Sequence, residues 1–175
     1  MNSSDIQFLW KIYDIIKSWV EYSERKNAVL FTIVGFEMGI LKFFEKQLDY
    51  KYLEITNMLL VFAFIIALVS FYPKINRLLF LRKTSYQKIT NRLNLLFFGD
   101  IQKLDINSYI KAIEKRYKIE IKDNKLAIDL CDQIFILSKI AYSKFIMFKV
   151  AVYFAILGQL SLFLLIGLGR FSLLN

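Results

Sequence analysis

Glu37 and Gln159 are the side chains of this sequence most at odds with their surroundings. Each sits in the middle of a long apolar stretch, where a polar or ionisable group is costly and as a rule faces protein or water. Two roles stay open for them: a helix-packing hydrogen bond, or a carboxylate and amide lining a permeation path. Gly35 and Gly39 bracket Glu37 as a G-x-x-x-G pair, the spacing that lets helix backbones approach. On a helix that pair lies about 200° from Glu37. Both faces therefore need protein contacts, which a homo-oligomer supplies. Asp129 and Asp132, one turn apart, could pair as acid and base, but no partner set accompanies them and a solvated helix face is the simpler reading. The chain has no histidine and one cysteine, which excludes zinc centres, Ser-His-Asp triads and a disulfide framework within one chain. Cys131 lies beside Asp129 and Asp132 and reads as a reduced structural thiol. Without GxGxxG, GxxxxGK[ST] or CxxC there is no support for a dinucleotide, Walker-type or metal site. No catalytic residue, metal or cofactor is expected, and the protein reads as not an enzyme.

The elements that must hold Glu37 and Gln159 are three apolar blocks, 27–44, 53–72 and 150–168, each roughly 18–20 residues, the length a helix needs to cross a ~30 Å hydrocarbon core. The second block from Ile55 on and the whole third block carry no charge; the first contains Glu37 and Lys42. A hydrophobic fraction of 57%, one proline and six glycines fit long lipid-facing helices, and mean hydropathy is +0.43. The expected fold is an all-α membrane protein with three transmembrane helices and a helical cytoplasmic domain between the second and third. The segments are a cytoplasmic amphipathic helix (1–26), a transmembrane hairpin (27–72), a cytoplasmic sensor segment (73–149), a third span continuous with the helix before it (150–169) and an external tail (170–175). The first 26 residues carry eight charges and no uninterrupted apolar core, so the first span is expected to stay as an anchor. Segment 73–149 holds sixteen Lys/Arg against seven carboxylates, a net +9. Basic residues mark the cytoplasmic side, which puts the N-terminus and 73–149 inside and the C-terminus outside a bacterial inner membrane. Glu37 and Gln159 then lie at nearly the same depth, ~14–15 Å in.

Helical periodicity in the first segment runs through Ile6, Leu9, Trp10, Tyr13, Ile16 and Val20. Pro73 marks a kink or helix end, followed by a basic juxtamembrane helix over 74–92, with Arg77, Arg82 and Lys83 near anionic lipid. Gly99-Asp100 suggests a turn. Asp105 or Asn107 caps a helix reaching Arg116, with Ile106, Tyr109, Ile110 and Ile113 buried. From Lys125 the stripe Leu126, Leu130, Ile134, Leu137, Ala141, Phe145, Phe148 meets no proline or glycine before Gly158, so one helix should run over 125–168. The lysines of the middle segment are spread among apolar positions, which argues against nucleic acid.

The run Asn94-Leu95-Leu96-Phe97-Phe98-Gly99-Asp100-Ile101 with Tyr109 beyond it resembles a segment of the Pycsar effector domain family. So does Asp129-Leu130-Cys131-Asp132-Gln133-Ile134-Phe135-Ile136-Leu137-Ser138-Lys139-Ile140, continued by Tyr142, Lys144 and Phe145. Ahead of the first span the family's Asp-x-Lys-Ala is only partly matched by Glu24-Arg25-Lys26-Asn27. Order and spacing agree over nearly the whole chain. The resemblance implies a membrane effector of antiphage defence in which a cyclic nucleotide, made by a partner cyclase, triggers loss of inner-membrane integrity and halts or kills the cell. Cyclic CMP or cyclic UMP is the expected ligand, with a cyclic oligonucleotide as the other choice. Asn94, Asp100, Gln133, Ser138, Lys139 and Lys144 are the candidate ligand contacts. Asn94 and Gln133 offer amides to a base edge, and Lys139 and Lys144 offer charge to a phosphate. The competing role for these residues is holding the cytoplasmic helices together. The competing function is a constitutive small membrane scaffold or channel subunit without a nucleotide ligand.

Overall fold

The computed structural model describes residues 3–43, 50–72, 93–121 and 123–172. Those residues form helices α1 (Ser3–Phe43), α2 (Tyr50–Val69), one-turn α3 (Phe98–Ile101), α4 (Ile106–Tyr117) and α5 (Lys125–Ser172), with no strand among them. The expected kink at Pro73, the helix over 74–92 and the turn carrying Lys46 lie outside the described residues. The chain divides into two compact units. Unit 1 comprises Met1–Ser23 and Pro73–Lys144, and unit 2 comprises Glu24–Tyr72 and Phe145–Asn175.

Two long helices contribute to both units because nothing in their sequences stops them. Helix α1 is 41 residues long and α5 is 48. Leu9, Ile16 and Ser23 are buried at steps of seven, and so are Asn27, Val34 and Leu41. A seven-residue step keeps a stripe on nearly one side of a helix. Leu30 and Glu37 continue the first series. Trp10, expected on the buried face, is 44% exposed, whereas Ile12 is buried. A residue one position beyond Leu9 is turned ~100° away from it. Leu126 is likewise exposed, and the stripe of α5 in unit 1 runs instead through Ala127, Leu130, Cys131, Ile134, Ser138 and Ala141.

Unit 1 owes its short elements to side-chain caps. Asp105 has extended backbone and accepts from the Ser108 N–H at 2.9 Å and from the Ser108 hydroxyl at 2.7 Å, which starts α4. Lys118, in the left-handed region at φ 57°, ends that helix with its N–H on Glu114 O. Asn124 starts α5 by accepting from the Ala127 N–H at 3.2 Å. Leu9, Ile16, Leu95, Ile101, Tyr109, Ile113, Ile121 and Ile134 are almost fully buried in this unit. Each large aliphatic among them contributes about 1.5–3 kcal/mol. Cys131 is buried with them, and burial, reinforced by Asp132 and Glu114, pushes its thiol up to about 12. That leaves it a small core residue without nucleophilic character near neutral pH.

Unit 2 is built from the second part of α1, α2 and the end of α5. By length and apolarity Lys125–Leu164 of α5 is the one described helix able to cross a membrane, with Leu53–Val69 a shorter apolar helix. The apolar part of α1, which holds Glu37 and Lys42, falls short of that standard within the described residues. Helices α2 and α5 meet along small residues. Thr56, Leu60, Ala63 and Ala67 are buried on α2, and Ala151 and Gly158 on α5. A Cβ on Gly158 would lie 2.9 Å from Leu60 Cδ2 and 3.1 Å from its Cγ. Thr56 and Ser161 hydroxyls are bonded across the same seam at 2.7 Å. Phe31 stacks on Phe64 at 4.3 Å and joins α1 to α2.

These contacts set two expectations. Asp105→Ala should destabilise the protein by about 1 kcal/mol, the usual value of an N-cap, with Asp105→Ser retaining most of it. Burial raises the Asp105 pKa, but the Ser108 hydrogen bonds outweigh it and the net shift is downward from 3.8. The cap's ionic part is therefore fully present above the unfolded carboxyl value and is lost as pH falls through the lower folded one. Denaturant titrations of both variants at pH 7 and below pH 4 check this, and equal losses at both pH values would contradict it. Secondly, Gly158→Leu should cost about 1–3 kcal/mol through overpacking against Leu60. Gly39→Leu should leave protomer stability unchanged, since nothing lies within 4 Å of its added Cβ. Thermal melts in detergent distinguish them.

Candidate ligand and intramembrane sites

The turn before α3 is closed by two of the six candidate ligand residues. Asn94 Oδ1 accepts from the Leu96 N–H at 3.0 Å, and the Asn94 N–H donates to Asp100 Oδ2 at 3.0 Å. Lys103 donates to the other Asp100 oxygen at 2.6 Å. The Lys103 bond is the largest influence on the Asp100 carboxyl; opposed by burial and aided by Asn94, it leaves the pKa below its usual value. Gly99 is needed here because a Cβ would come within 2.5 Å of the Phe97 ring, which lies 4.6 Å from the Phe98 ring. Trp19 of α1 meets both rings, at 6.5 and 5.5 Å. The motif thus folds as an Asx-type turn feeding an aromatic cluster.

The four candidates on α5 present different faces. Ser138 is fully buried and spends its hydrogen on Ile134 O at 2.7 Å. Lys139 is partly buried, with Nζ 4.4 Å over the Phe135 ring. Burial pulls its pKa below that of a free lysine, and the Asp105 carboxylate opposes that shift. Gln133 is exposed and Lys144 half-buried. Eleven residues apart, those two share a face within about 20°, three turns from one another, while Lys139 lies about 120° round the helix from Gln133. A cavity of ≈ 430 Å³ in this unit is lined by Glu114, Lys118, Ile119, Glu120 and Asp123, none of the six. The structure therefore brings Asn94 and Asp100 together and aligns Gln133 with Lys144.

One contact in unit 2 was not read from the sequence. Lys26 Nζ lies 4.4 Å over the Phe148 ring and 5.6 Å from that of Phe145, joining α1 to α5 by cation–π attraction. The next residue, Asn27, is fully buried and its Oδ1 has no hydrogen-bond partner. The signal was present as a basic residue ahead of one apolar block and paired phenylalanines ahead of another, but nothing in the spacing linked them.

Glu37 and Gln159 share one cleft. It measures ≈ 530 Å³ and is lined by Thr32, Ile33, Phe36, Glu37, Ile40 and Leu41 of α1, Thr56 and Leu60 of α2, and Gly158, Gln159 and Leu162 of α5. Glu37 Oε2 is buried there without a hydrogen-bond partner. Gly35 faces Phe64, its Cβ position 3.4 Å from the ring, and Gly39 faces open space. Of these three glycines Gly158 therefore has the tightest surroundings, with a Cβ position 2.9 Å from Leu60 Cδ2. A small-residue series at 151, 155 and 158 was the available signal for it. A second cavity of ≈ 550 Å³ lies between α1 and α2, bordered by Met38, Gly39, Leu41, Lys42, Leu53, Glu54 and Asn57.

Comparison with known proteins matches residues 8–170 to the model of the Pycsar effector protein domain, PycTM. No curated protein and no solved structure matches the chain. The family match takes in the turn at Asn94–Asp100, the whole of α4 and all but the last two residues of α5: the chain belongs to the Pycsar effector protein domain family, transmembrane effectors of antiphage defence.

Proposed function

We propose that the protein is a cyclic-nucleotide-gated effector that compromises the bacterial inner membrane, and that it acts by binding and conformational change without catalysing a reaction. The observation that supports this most is α5, a single helix from Lys125 to Ser172 that carries the family's Gln133–Lys139 motif at one end and a membrane-length apolar stretch at the other. In this reading unit 1 is cytoplasmic, with the N-terminus, and the C-terminus is external. The apolar parts of α1, α2 and α5 form three spans. Cyclic CMP or cyclic UMP is the favoured ligand, with a cyclic oligonucleotide second.

In this reading the six ligand candidates divide by role. Asn94, Asp100 and Ser138 are engaged within the fold and serve as scaffold. Gln133, Lys139 and Lys144 are the contacts, with amide for base and ammonium for phosphate. An anion beside Lys139 would favour the charged form that burial disfavours. Binding shifts the closed–open equilibrium only by the ligand's differential affinity for the two states, and a swing from 1:99 to 99:1 needs about 10⁴-fold. The open state is a homo-oligomer in which copies meet at Gly39, the open member of the G-x-x-x-G pair, Gly35 being packed on Phe64 of its own chain. Because Gly39→Leu leaves the protomer intact, loss of its toxicity would report that contact.

Dye uptake by cells or vesicles containing the protein should rise on adding one of cyclic CMP, cyclic UMP or a cyclic oligonucleotide. Leak of equal size without any nucleotide would favour a constitutive channel instead. With the active nucleotide identified, isothermal titration should show Gln133→Ala and Lys139→Ala each weakening binding about tenfold or more, as for loss of a hydrogen bond to a charged or buried polar partner. Unchanged affinity in both variants removes the assignment.

A further inference from the structure

The cleft around Glu37 has a chemistry of its own, independent of whether a nucleotide gates the protein. Its walls are apolar, with Ile33, Phe36, Ile40 and Leu162 contributed by α1 and α5. Its polar groups are almost all acceptors. Glu37 brings a carboxylate whose Oε2 is buried and lacks a hydrogen-bond partner. Thr32 has given its hydrogen to Ala28 O at 3.0 Å, so only its lone pairs remain to face a ligand. The Thr56 hydroxyl is engaged with that of Ser161 at 2.7 Å, and Ser161 is also bonded to Gly158 O at 2.8 Å. Gln159 alone can both donate and accept, and it carries no charge. An anion or a neutral acceptor would find little here. A donor-rich cation with an apolar body would satisfy both the carboxylate and the walls.

We propose that this cleft is a binding site for a lipophilic primary ammonium ion, its head on Glu37 and Gln159 and its chain along Ile33, Phe36 and Leu162. The charge argument fixes the head: an unpaired carboxylate oxygen in an apolar cleft is the costliest group present, and a charge-assisted hydrogen bond is the strongest way to satisfy it. The wall argument fixes the body. At ≈ 530 Å³ the cleft falls within the ~300–1,000 Å³ typical of small-molecule sites. Phe36 adds an aromatic neighbour of the kind ammonium groups favour. The site belongs to a single protomer and needs no second copy to be complete.

The test uses the full chain in nanodiscs of zwitterionic phosphatidylcholine and a dodecylammonium probe carrying a diazirine in its chain. Photolabelling followed by peptide mass spectrometry should place adducts within 32–41 and 156–162, and n-octylammonium should compete them away. Glu37→Gln should reduce labelling about tenfold or more. Glu37→Asp keeps the charge and should label more than Glu37→Gln, which separates loss of charge from loss of fold. Glu54→Gln, in the other cavity, should label like the unaltered protein. Equal labelling of Glu37→Gln would overturn the proposal. So would equal labelling by the dodecanol analogue, which makes the cleft a mere apolar groove, or competition by millimolar potassium, which makes it a metal-ion site. Absence of labelling, with a disulfide forming between copies of Phe36→Cys/Gln159→Cys in a Cys131→Ser background, would assign the cleft to a neighbouring protomer and equally sink it.

Discussion

A helix that enters hydrocarbon must close every backbone hydrogen bond within itself, because no water is present to take the remainder. This constraint shapes the chain from end to end. With one proline in 175 residues and no glycine between Lys125 and Leu157, α5 has no point at which to stop before its apolar stretch begins. Helix α1 is equally uninterrupted. In unit 1 polar side chains take over the orphaned N–H groups where helices start: Asp105 for α4 and Asn124 for α5. Both of these capping residues lie in the segment where water is expected. Secondary structure and environment thus follow from one rule.

Unit 2 holds the apolar stretch of α5, and helices in lipid gain little from burying apolar surface against one another. Close contact has to come from small residues and from polar bonds. The α2–α5 seam uses both, with Gly158 admitting Leu60 and Thr56–Ser161 bonding across it. The α1 side is different. Phe31 and Phe64 hold α1 to α2 by ring contact, and the volume left among the three helices is the cleft that contains Glu37. A bulky aromatic contact on one side and a small-residue seam on the other cannot fill space equally. The carboxylate lies in the gap left between them.

Periodicity and breakers made much of the fold legible: the helix types, the Asp105 cap, the uncut run from Lys125, and the common level of Glu37 and Gln159. What periodicity carries is an azimuth on one helix, and its errors were azimuthal. Trp10 and Leu126 were placed on buried faces because both are large and apolar, yet each lies one residue from the true stripe and is exposed. Partners across helices were not legible at all. Gly158 against Leu60 and Lys26 over Phe148 are facts about two segments far apart in sequence. The ligand candidates suffered similarly. The motif residues read as one set of ligand contacts, yet Asn94, Asp100 and Ser138 make bonds within the fold, because a motif records what a fold needs as well as what a ligand touches.

Lys139 shows why those two needs are hard to separate. Its charge is weakened by burial and supported by Asp105, the residue whose other task is to start α4. Any anion that approaches Lys139 meets that carboxylate as a like charge and meets the N-terminus of a twelve-residue helix as an opposite partial charge. Removing Asp105 therefore acts in two directions at once: it loosens α4 and lifts the repulsion toward an incoming phosphate, while making the lysine harder to keep charged. The cap of a helix and the electrostatics of a candidate ligand site are, at this point in the chain, the same carboxylate.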